Sequence, residues 1–457
     1  MILAILFLSF VLRVISVNQS LWIDEATSVL TARDFSFSEI ITKFSPGDFH
    51  PPLYYLILKI WTAIFGSGEV GVRLLSVMAG VGTVYLIYQI ANKFIRVNYS
   101  NFPGTAALLL ATSGLHIYYS QEARMYALSS LLVTFSIYLF LSIQKTSARI
   151  HWLLFSLSLP LIILTDYLSA FIFPVFWFFA IKKNKSWFKK FILANIPLVM
   201  AVIVWLPIFK GQLESGLSVE SSLPGWWKIL GGISVKEVLL VPVKFMLGRI
   251  SFDNNVLYGL VVFFVGTLNA FLIVKATKFY RKTKILWFWI LIPALLIFTV
   301  SYKIPVFYYF RLIFVLPAFY LITALGIVGL KPTWRNAAIG LVVAINLCAS
   351  FYYLGNSKFH REDWRGLVNY VEEHSTKDFK VLFVADSQME AYNYYSEMKN
   401  FSGPDAVSNS FDTIWLMKYV QPIFDPNDTL RKKVEDLGYV KAEEFDFNGV
   451  VVWRYKR

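Results

Sequence analysis

The sequence predicts an all-α polytopic membrane protein with about eleven transmembrane helices, interfacial helices in its first outer loop, and a small extracytoplasmic α/β domain at its carboxyl end. Three observations predict it. Of the 457 residues, 57% are hydrophobic, far more than a soluble chain of this size needs. The apolar residues recur in runs of about 15–25, which is what a bilayer-crossing helix requires. The charges also sort by side of the proposed topology, as set out below.

Eleven apolar runs lie near 1–17, 70–92, 104–120, 124–143, 152–165, 168–181, 190–209, 255–274, 285–302, 312–330 and 336–354. The first lacks a basic leader and a small-x-small cleavage site, so it is read as a retained helix. Five connections carry only basic charge: Lys93/Arg96, Lys145/Arg149, Lys182 to Lys190, Lys275 to Lys284, and Lys331/Arg335. All twelve acids before residue 357 fall in the opposite connections. The positive-inside rule then puts the amino terminus in the cytoplasm and the carboxyl terminus outside the cell membrane. The net charge of +14 is therefore a topogenic signal and not a nucleic-acid footprint. Residues 357–457 support this, with a net charge of −3 against +17 for residues 1–356.

Residues 1–356 read as the membrane domain and 357–457 as a small outer domain. In the outer domain Lys380–Asp386 reads as a strand, Asp428–Leu437 as a helix and Gly449–Tyr455 as a closing strand. The first outer loop, about 18–69, holds two short helical stretches, Asp24–Asp34 and Pro51–Gly66. The second stretch, at about 15 residues, suits the membrane interface better than a crossing. A second outer segment, about 210–254, is rich in Gly, Ser and Trp and includes Pro224-Gly225-Trp226-Trp227, which suggests a surface lid. The single cysteine, Cys348, excludes an internal disulfide and a cysteine-based zinc site.

Candidate chemistry lies on the outer face. Asp24-Glu25 follows the first helix at once. An exposed carboxylate there can take a proton from a hydroxyl or face a metal, or it can simply favour the positive end of a helix. His50-Pro51-Pro52-Leu53 offers a histidine for a metal or an acid, or a backbone-bonded residue at a helix start. Tyr118 to Tyr126 brings Tyr119, Gln121, Glu122, Arg124 and Tyr126 to one hairpin, and Lys303–Arg311 brings Arg311 to another. Arg124 and Arg311 run against the inside bias, so each needs a partner. The guanidinium fork suits phosphate, although lipid headgroups or Glu122 would also serve. Lys59, on an interfacial helix, can also reach a phosphate, although a lysine is commonplace at any interface. Arg13 reads as a snorkelling residue, and His360 as a hinge before the outer domain. The set describes a group-transfer site at a lipid–water boundary.

The stretches LWIDEATS, HPPLYYLILK, RLLSV, YYSQEARMYAL and FYYFRLIFVLPAF resemble those of the GT-C membrane glycosyltransferases. The branch they resemble contains the dolichyl-phosphate-mannose protein mannosyltransferases and the aminoarabinose lipid A transferase. The resemblance covers about residues 1–356 and is densest from 20 to 130. It implies a sugar donor on a polyprenyl phosphate and a lipid, glycan or protein acceptor, with membrane lipids as surroundings and no nucleic acid. It implies Asp24 as base with Glu25 as neighbour or alternative. Arg124 falls on a donor-phosphate position, Arg311 matches more loosely, and His50 matches the motif histidine. No cofactor is expected, and a divalent metal is the alternative. The rival readings are a flippase or transporter, a polymerase or ligase of lipid-linked saccharides, and a non-catalytic subunit. Transporters keep ionisable groups near the bilayer midplane, whereas these acids sit at the outer boundary.

Overall fold

The computed structural model describes residues 1–223, 234–375 and 378–457. The chain is mostly helical, because a backbone in hydrocarbon must satisfy its own N–H and C=O groups. The helices before the outer domain are α1 (Ile2–Val14), α2 (Ile23–Asp34), α3 (Leu53–Phe65), α4 (Glu69–Phe94), α5 (Phe102–Ala111), α6 (Gly114–Ser120), α7 (Tyr126–Ile143) and α8 (Arg149–Thr165). They continue with α9 (Phe173–Ala180), α10 (Lys185–Ala194), α11 (Ile196–Ser222), α12 (Val235–Leu247), α13 (Asn255–Ala276), α14 (Tyr280–Val300), α15 (Leu316–Val328) and α16 (Pro332–Gly355).

Among the described residues six helical segments are long and apolar enough to cross a membrane: Glu69–Phe94, Tyr126–Ile143, Lys185–Ser218, Asn255–Val300, Tyr309–Val328 and Pro332–Gly355. This is a multi-pass membrane protein. Each of the eleven expected runs is helical, but length alone supports fewer full crossings. The segment 255–300 holds 46 residues, about twice a bilayer at ~1.5 Å per residue. A 3₁₀ turn over Thr277–Phe279 and non-helical backbone at Thr283 divide it into α13 and α14. The expected run 104–120 is also two helices, because the Ser113 hydroxyl accepts from the His116 N–H and starts α6.

The core is organised around α15, in which all 13 residues are buried. A helix apolar on every side can be enclosed by protein or by lipid, and here protein encloses it. Helices α5, α13 and α14 pack against it. Gly326 is essential to the close approach, since a Cβ there would collide with the backbone of Leu272 in α13.

The first outer loop folds as expected into two short helices. Helix α3 has 13 residues, about 20 Å at ~1.5 Å per residue, too short for the ~30 Å hydrocarbon layer. It buries Tyr54, Tyr55 and Leu58 and exposes Ile60, Ile64 and Phe65, as a helix resting in an interface does. Gly66, at φ +79°, ends it. In the second segment α11 runs on to Ser222, and α12 starts at Ser234, whose hydroxyl accepts from the Glu237 N–H. Pro224-Gly225-Trp226-Trp227 lies outside the described residues.

After α16 come α17 (Trp364–Glu373), the strands β1 (Phe379–Leu382), β2 (Phe401–Ser402) and β3 (Thr413–Met417), α18 (Thr429–Asp436), β4 (Val440–Phe447) and β5 (Val450–Lys456). The sheet order is β2-β1-β3-β5-β4, with β1 parallel to β2 and β3, and β5 antiparallel to β3 and β4. Strand alternation splits the sheet between two cores. Leu382, Ile414, Leu416 and Tyr455 pack on α18. Val381, Trp415, Met417 and Val452 share a core with α17 and with Ile23, Val29, Tyr54 and Leu58 of the first outer loop. The carboxyl-terminal fold is thus fastened directly over α2 and α3.

Candidate active site

Asp24 and Glu25 occupy the first turn of α2. Successive residues on a helix point about 100° apart, so the two carboxylates meet different surroundings. Glu25 points inward and is fully buried. Arg73 donates to it from Nε at 2.8 Å and from Nη2 at 2.5 Å. The Ala123 N–H donates to it at 2.7 Å, and Arg361 Nε lies 3.2 Å away. Burial opposes the charge, but the two guanidiniums and the amide overcome it and hold the carboxyl below the usual carboxylate range. Glu25, expected as an alternative base, is spent on holding together residues 17–25, α4, the 121–125 turn and the chain after α16. Arg73 completes the clasp by donating to the carbonyls of Val17, Gln19 and Ser20.

Asp24 points the other way, with its side chain 42% exposed and Oδ2 3.7 Å from Arg124 Nη2. Arg124 is buried and surrounded by protein acceptors. Its Nη1 donates to the Asp24 carbonyl at 3.4 Å, Ser28 Oγ at 3.3 Å and Tyr55 OH at 3.5 Å. Its Nη2 lies 3.2 Å from His50 Nε2, and its Nε has no hydrogen-bond partner among the described residues. The 121–125 segment between α6 and α7 is non-helical, which frees the Ala123 amide for Glu25 and brings Arg124 to α2. His50 is braced in turn. Its Nδ1 lies 3.4 Å from Asp48 Oδ1, while Tyr55 OH donates to Asp48 Oδ2 at 2.6 Å. Burial works against Asp48 ionising, but His50, Arg124 and Tyr55 overcome it and hold that carboxyl well below its usual range. Gln212 of α11 donates to the carbonyls of Ser45 and His50.

A second cluster forms where α6 meets α12 and the chain on either side of Arg249. Arg249 is exposed and has no carboxylate partner among the described residues. Its Nη1 donates to Tyr118 OH at 2.7 Å, and its guanidinium lies 4.8 Å from the Tyr118 ring centroid. Lys244 donates to the Ile250 carbonyl at 2.9 Å and sits beside the Tyr258 and Tyr309 rings. Burial, with Arg249 near, lowers its ammonium to about 8. Tyr119 stacks on Phe310 and meets Tyr126 edge-on. From Leu247 to Phe252 the same segment closes one end of an apolar groove of about 460 Å³ between α13 and α16, lined by Phe264, Cys348 and Tyr352 among others.

Several expected site residues have other surroundings. Lys59 spends its ammonium on the Ala32 carbonyl at the end of α2, 3.0 Å away. Gln121 donates to the carbonyls of Arg13 and Ile15 and ties the end of α1 to the hairpin. Arg13 is buried and bonded to Ser9, Ala111, His116 and Ser120, so it staples α1 to α5 and α6 and does not snorkel. Glu122 is buried 3.9 Å from Arg361. Burial pushes its carboxyl up to about 7, with Glu25 adding to the rise and Arg361 opposing it. Arg311 donates to the Pro305 carbonyl of its own loop and remains half-buried. Arg73, Lys244, Arg249 and Arg361 were not among the sequence candidates. Lys244 and Arg249, like Arg124, are cations in the proposed outer connections. Among the described residues no three His, Cys, Asp or Glu side chains gather as a metal ion would need.

Residues 49–209 match the family model described as dolichyl-phosphate-mannose-protein mannosyltransferase. The match includes His50, Arg73 and Arg124; Asp24, Glu25, Arg249 and Arg361 fall outside it. The fold is shared with ArnT from Cupriavidus metallidurans in the apo state, at 13% identity and TM-score 0.57, covering 99% of this chain and 97% of that one. The same protein bound to undecaprenyl phosphate matches at 12% identity and TM-score 0.57, covering 99% and 96%. The oligosaccharyltransferase AglB from Archaeoglobus fulgidus, in complex with an inhibitory peptide and a dolichol-phosphate, matches at 10% identity and TM-score 0.52, covering 99% and 74%. No curated protein matches the chain.

Proposed function

We propose that this chain is an integral-membrane glycosyltransferase that moves a hexosyl or pentosyl group from a polyprenyl-phosphate donor to an acceptor hydroxyl. One observation carries the reading. An exposed carboxylate, Asp24, borders the 118–126 hairpin at Arg124, and Arg249, with Lys244 nearby, borders it at Tyr118; neither cation has a carboxylate partner among the described residues, and their neighbours Leu247 and Ile250 line an apolar groove between membrane helices. An anionic headgroup on a long apolar tail has that shape and charge pattern. The ArnT structure with undecaprenyl phosphate and the AglB structure with a dolichol-phosphate add support from the same fold.

In this reading the tail lies in the groove and the phosphate meets Arg249 and Lys244, with Arg311 flanking. The aromatic wall of Tyr119, Tyr126 and Phe310 faces the sugar. The acceptor oxygen attacks the anomeric carbon while Asp24 takes its proton. The bond from that carbon to the phosphate oxygen breaks, and the electron pair leaves with the polyprenyl phosphate. The two cations offset the charge that develops on the leaving oxygen. Arg124, 3.7 Å from its carboxylate, aims Asp24. The sequence expectation put Arg124 on the phosphate; its burial among Asp24, Ser28, Tyr55 and His50 favours Arg249 for that task.

The site is proposed to face outward from the cell membrane, with the amino terminus cytoplasmic. A reporter fused after Arg457 is then active outside the cytoplasm and one fused at Lys183 is not; the opposite pattern overturns the orientation. The reaction itself is tested with radiolabelled polyprenyl-phosphate sugars offered to envelope fractions carrying wild-type, Asp24→Asn or Arg249→Ala protein. Transfer by the wild type that is lost in Asp24→Asn supports the reaction and the base. Wild-type protein that transfers from no donor, while still moving lipid-linked saccharide across vesicles, establishes the flippase reading instead.

A further inference from the structure

Arg361 is buried and comes from the chain just beyond α16, yet it reaches into the site. Its side chain lies 3.2 Å from Glu25 and 3.9 Å from Glu122. Its guanidinium also lies 4.8 Å from the Tyr118 ring centroid. Arg249 lies at the same 4.8 Å from that ring and donates to its hydroxyl. Side-chain contacts therefore run without a break from Glu25 through Arg361 and Tyr118 to Arg249. The path begins next to the base and ends at the proposed phosphate grip.

Both ends need this support. An exposed arginine has many rotamers to lose before it can hold a phosphate. The planar fork of Arg249 lies on an aromatic face and bonds its hydroxyl, which fixes it in advance. The backbone beside it is also pinned. Gly248 has φ +66° and runs against α6, where a Cβ would lie 3.2 Å from the Leu115 nitrogen. At the other end, Asp24 inherits its place from Glu25 one residue on, and Arg361 supplies one of the two guanidiniums that clamp Glu25.

We propose that Arg361 and Tyr118 are positioning residues that set the spacing between the base Asp24 and the phosphate-gripping Arg249. The carboxyl-terminal segment is then a working part of the site and not only an appended domain. This rests on the reading of Arg249 as the phosphate ligand.

The test uses the full chain in lipid nanodiscs and measures binding of undecaprenyl phosphate as the probe. Arg249→Ala should weaken binding about tenfold or more. Tyr118→Phe keeps the ring and removes the hydroxyl bond, and should weaken binding about three- to tenfold with an unchanged unfolding midpoint. The double variant Tyr118→Phe/Arg249→Ala should bind within about twofold of Arg249→Ala alone, since Tyr118 acts through Arg249. Arg361→Gln should weaken binding, and Arg361→Lys, which keeps a cation against Glu25 and Glu122, should recover part of it. If Arg361→Gln does not fold, the Tyr118 and Arg361→Lys variants still decide the matter. Unchanged binding in Arg249→Ala refutes the phosphate reading itself. A weakened Arg249→Ala beside a wild-type Tyr118→Phe, or a Tyr118 effect that persists in the double variant, overturns the positioning inference and leaves the phosphate reading standing.

Discussion

Replacing Asp24 and Glu25 separately should break two different things. Glu25→Gln keeps the side-chain volume and removes one buried negative charge. Among the described residues Arg73 then has no carboxylate in contact, and Arg361 retains only Glu122 at 3.9 Å. Removing one partner of a buried ion pair costs about 3–5 kcal/mol, because the remaining charge stays out of water. That is a large share of the roughly 5–15 kcal/mol that holds a typical domain folded. Asp24→Asn touches a 3.7 Å contact on a carboxylate that is 42% exposed, where the loss is about 1 kcal/mol or less. Activity should follow the opposite order. Loss of a general base slows a reaction about 10²- to 10⁴-fold, and Asp24→Asn should do so with a near-native unfolding midpoint. The assay is thermal unfolding in nanodiscs, followed by tryptophan fluorescence, with sugar transfer measured on the folded fraction. A Glu25→Gln protein as stable as wild type would refute the charge-clasp argument. An active Asp24→Asn protein would take the base away from Asp24.

Other consequences can be checked singly. Lys244 loses its proton as pH rises through about 8, so affinity for an anionic phosphate should fall above that pH. Lys244→Arg, which stays charged beyond pH ~12, should remove that limb, and an unchanged limb would exclude Lys244 from the phosphate. Glu122 keeps its proton up to about 7 when folded but only to ~4.3 when unfolded. Its contribution to stability is therefore complete below ~4.3 and is lost as pH rises through about 7, by at most ~1.4 kcal/mol per pH unit. Glu122→Gln should flatten that slope, and a slope that persists assigns it to other groups. Gly326→Ala forces α15 away from the Leu272 backbone and should cost about 1–3 kcal/mol; a native midpoint would show that the two helices part freely.

Long, strongly apolar segments were legible in the sequence, since α4, α7, α13, α15 and α16 each carry the pattern along their length. The two interfacial helices were legible too, because α3 is too short to cross and is apolar on both sides. What the pattern could not give was the break at Ser113, where one side-chain hydroxyl outweighs a continuous apolar run. Nor could it show that α17 packs on Ile23 and Tyr54, because contacts across more than 300 positions leave no local mark. The candidate site divides in the same way. Asp24 was legible as an acid directly after the first helix, and Arg124 as a cation in an outer connection. The different surroundings of adjacent Asp24 and Glu25 were not, because they depend on which way the helix turns relative to Arg73 and Arg361. Arg249 is a cation in an outer connection as Arg124 is, but it lies in a stretch that carries no motif of its own.

The position of Arg361 in the chain has a consequence for how the protein is made. Glu25 and Arg73 leave the ribosome early, and both can meet while most of the membrane helices are still unsynthesised. The second guanidinium on Glu25 arrives only after α16 has been inserted and the following residues have reached the same face. Until then Glu25 has one of its two guanidinium partners and Tyr118 lacks one of its two cations. The cluster is thus completed only after α16 has been made. A partly synthesised or prematurely ended protein would occupy the membrane without the finished cluster of Glu25, Arg361 and Tyr118.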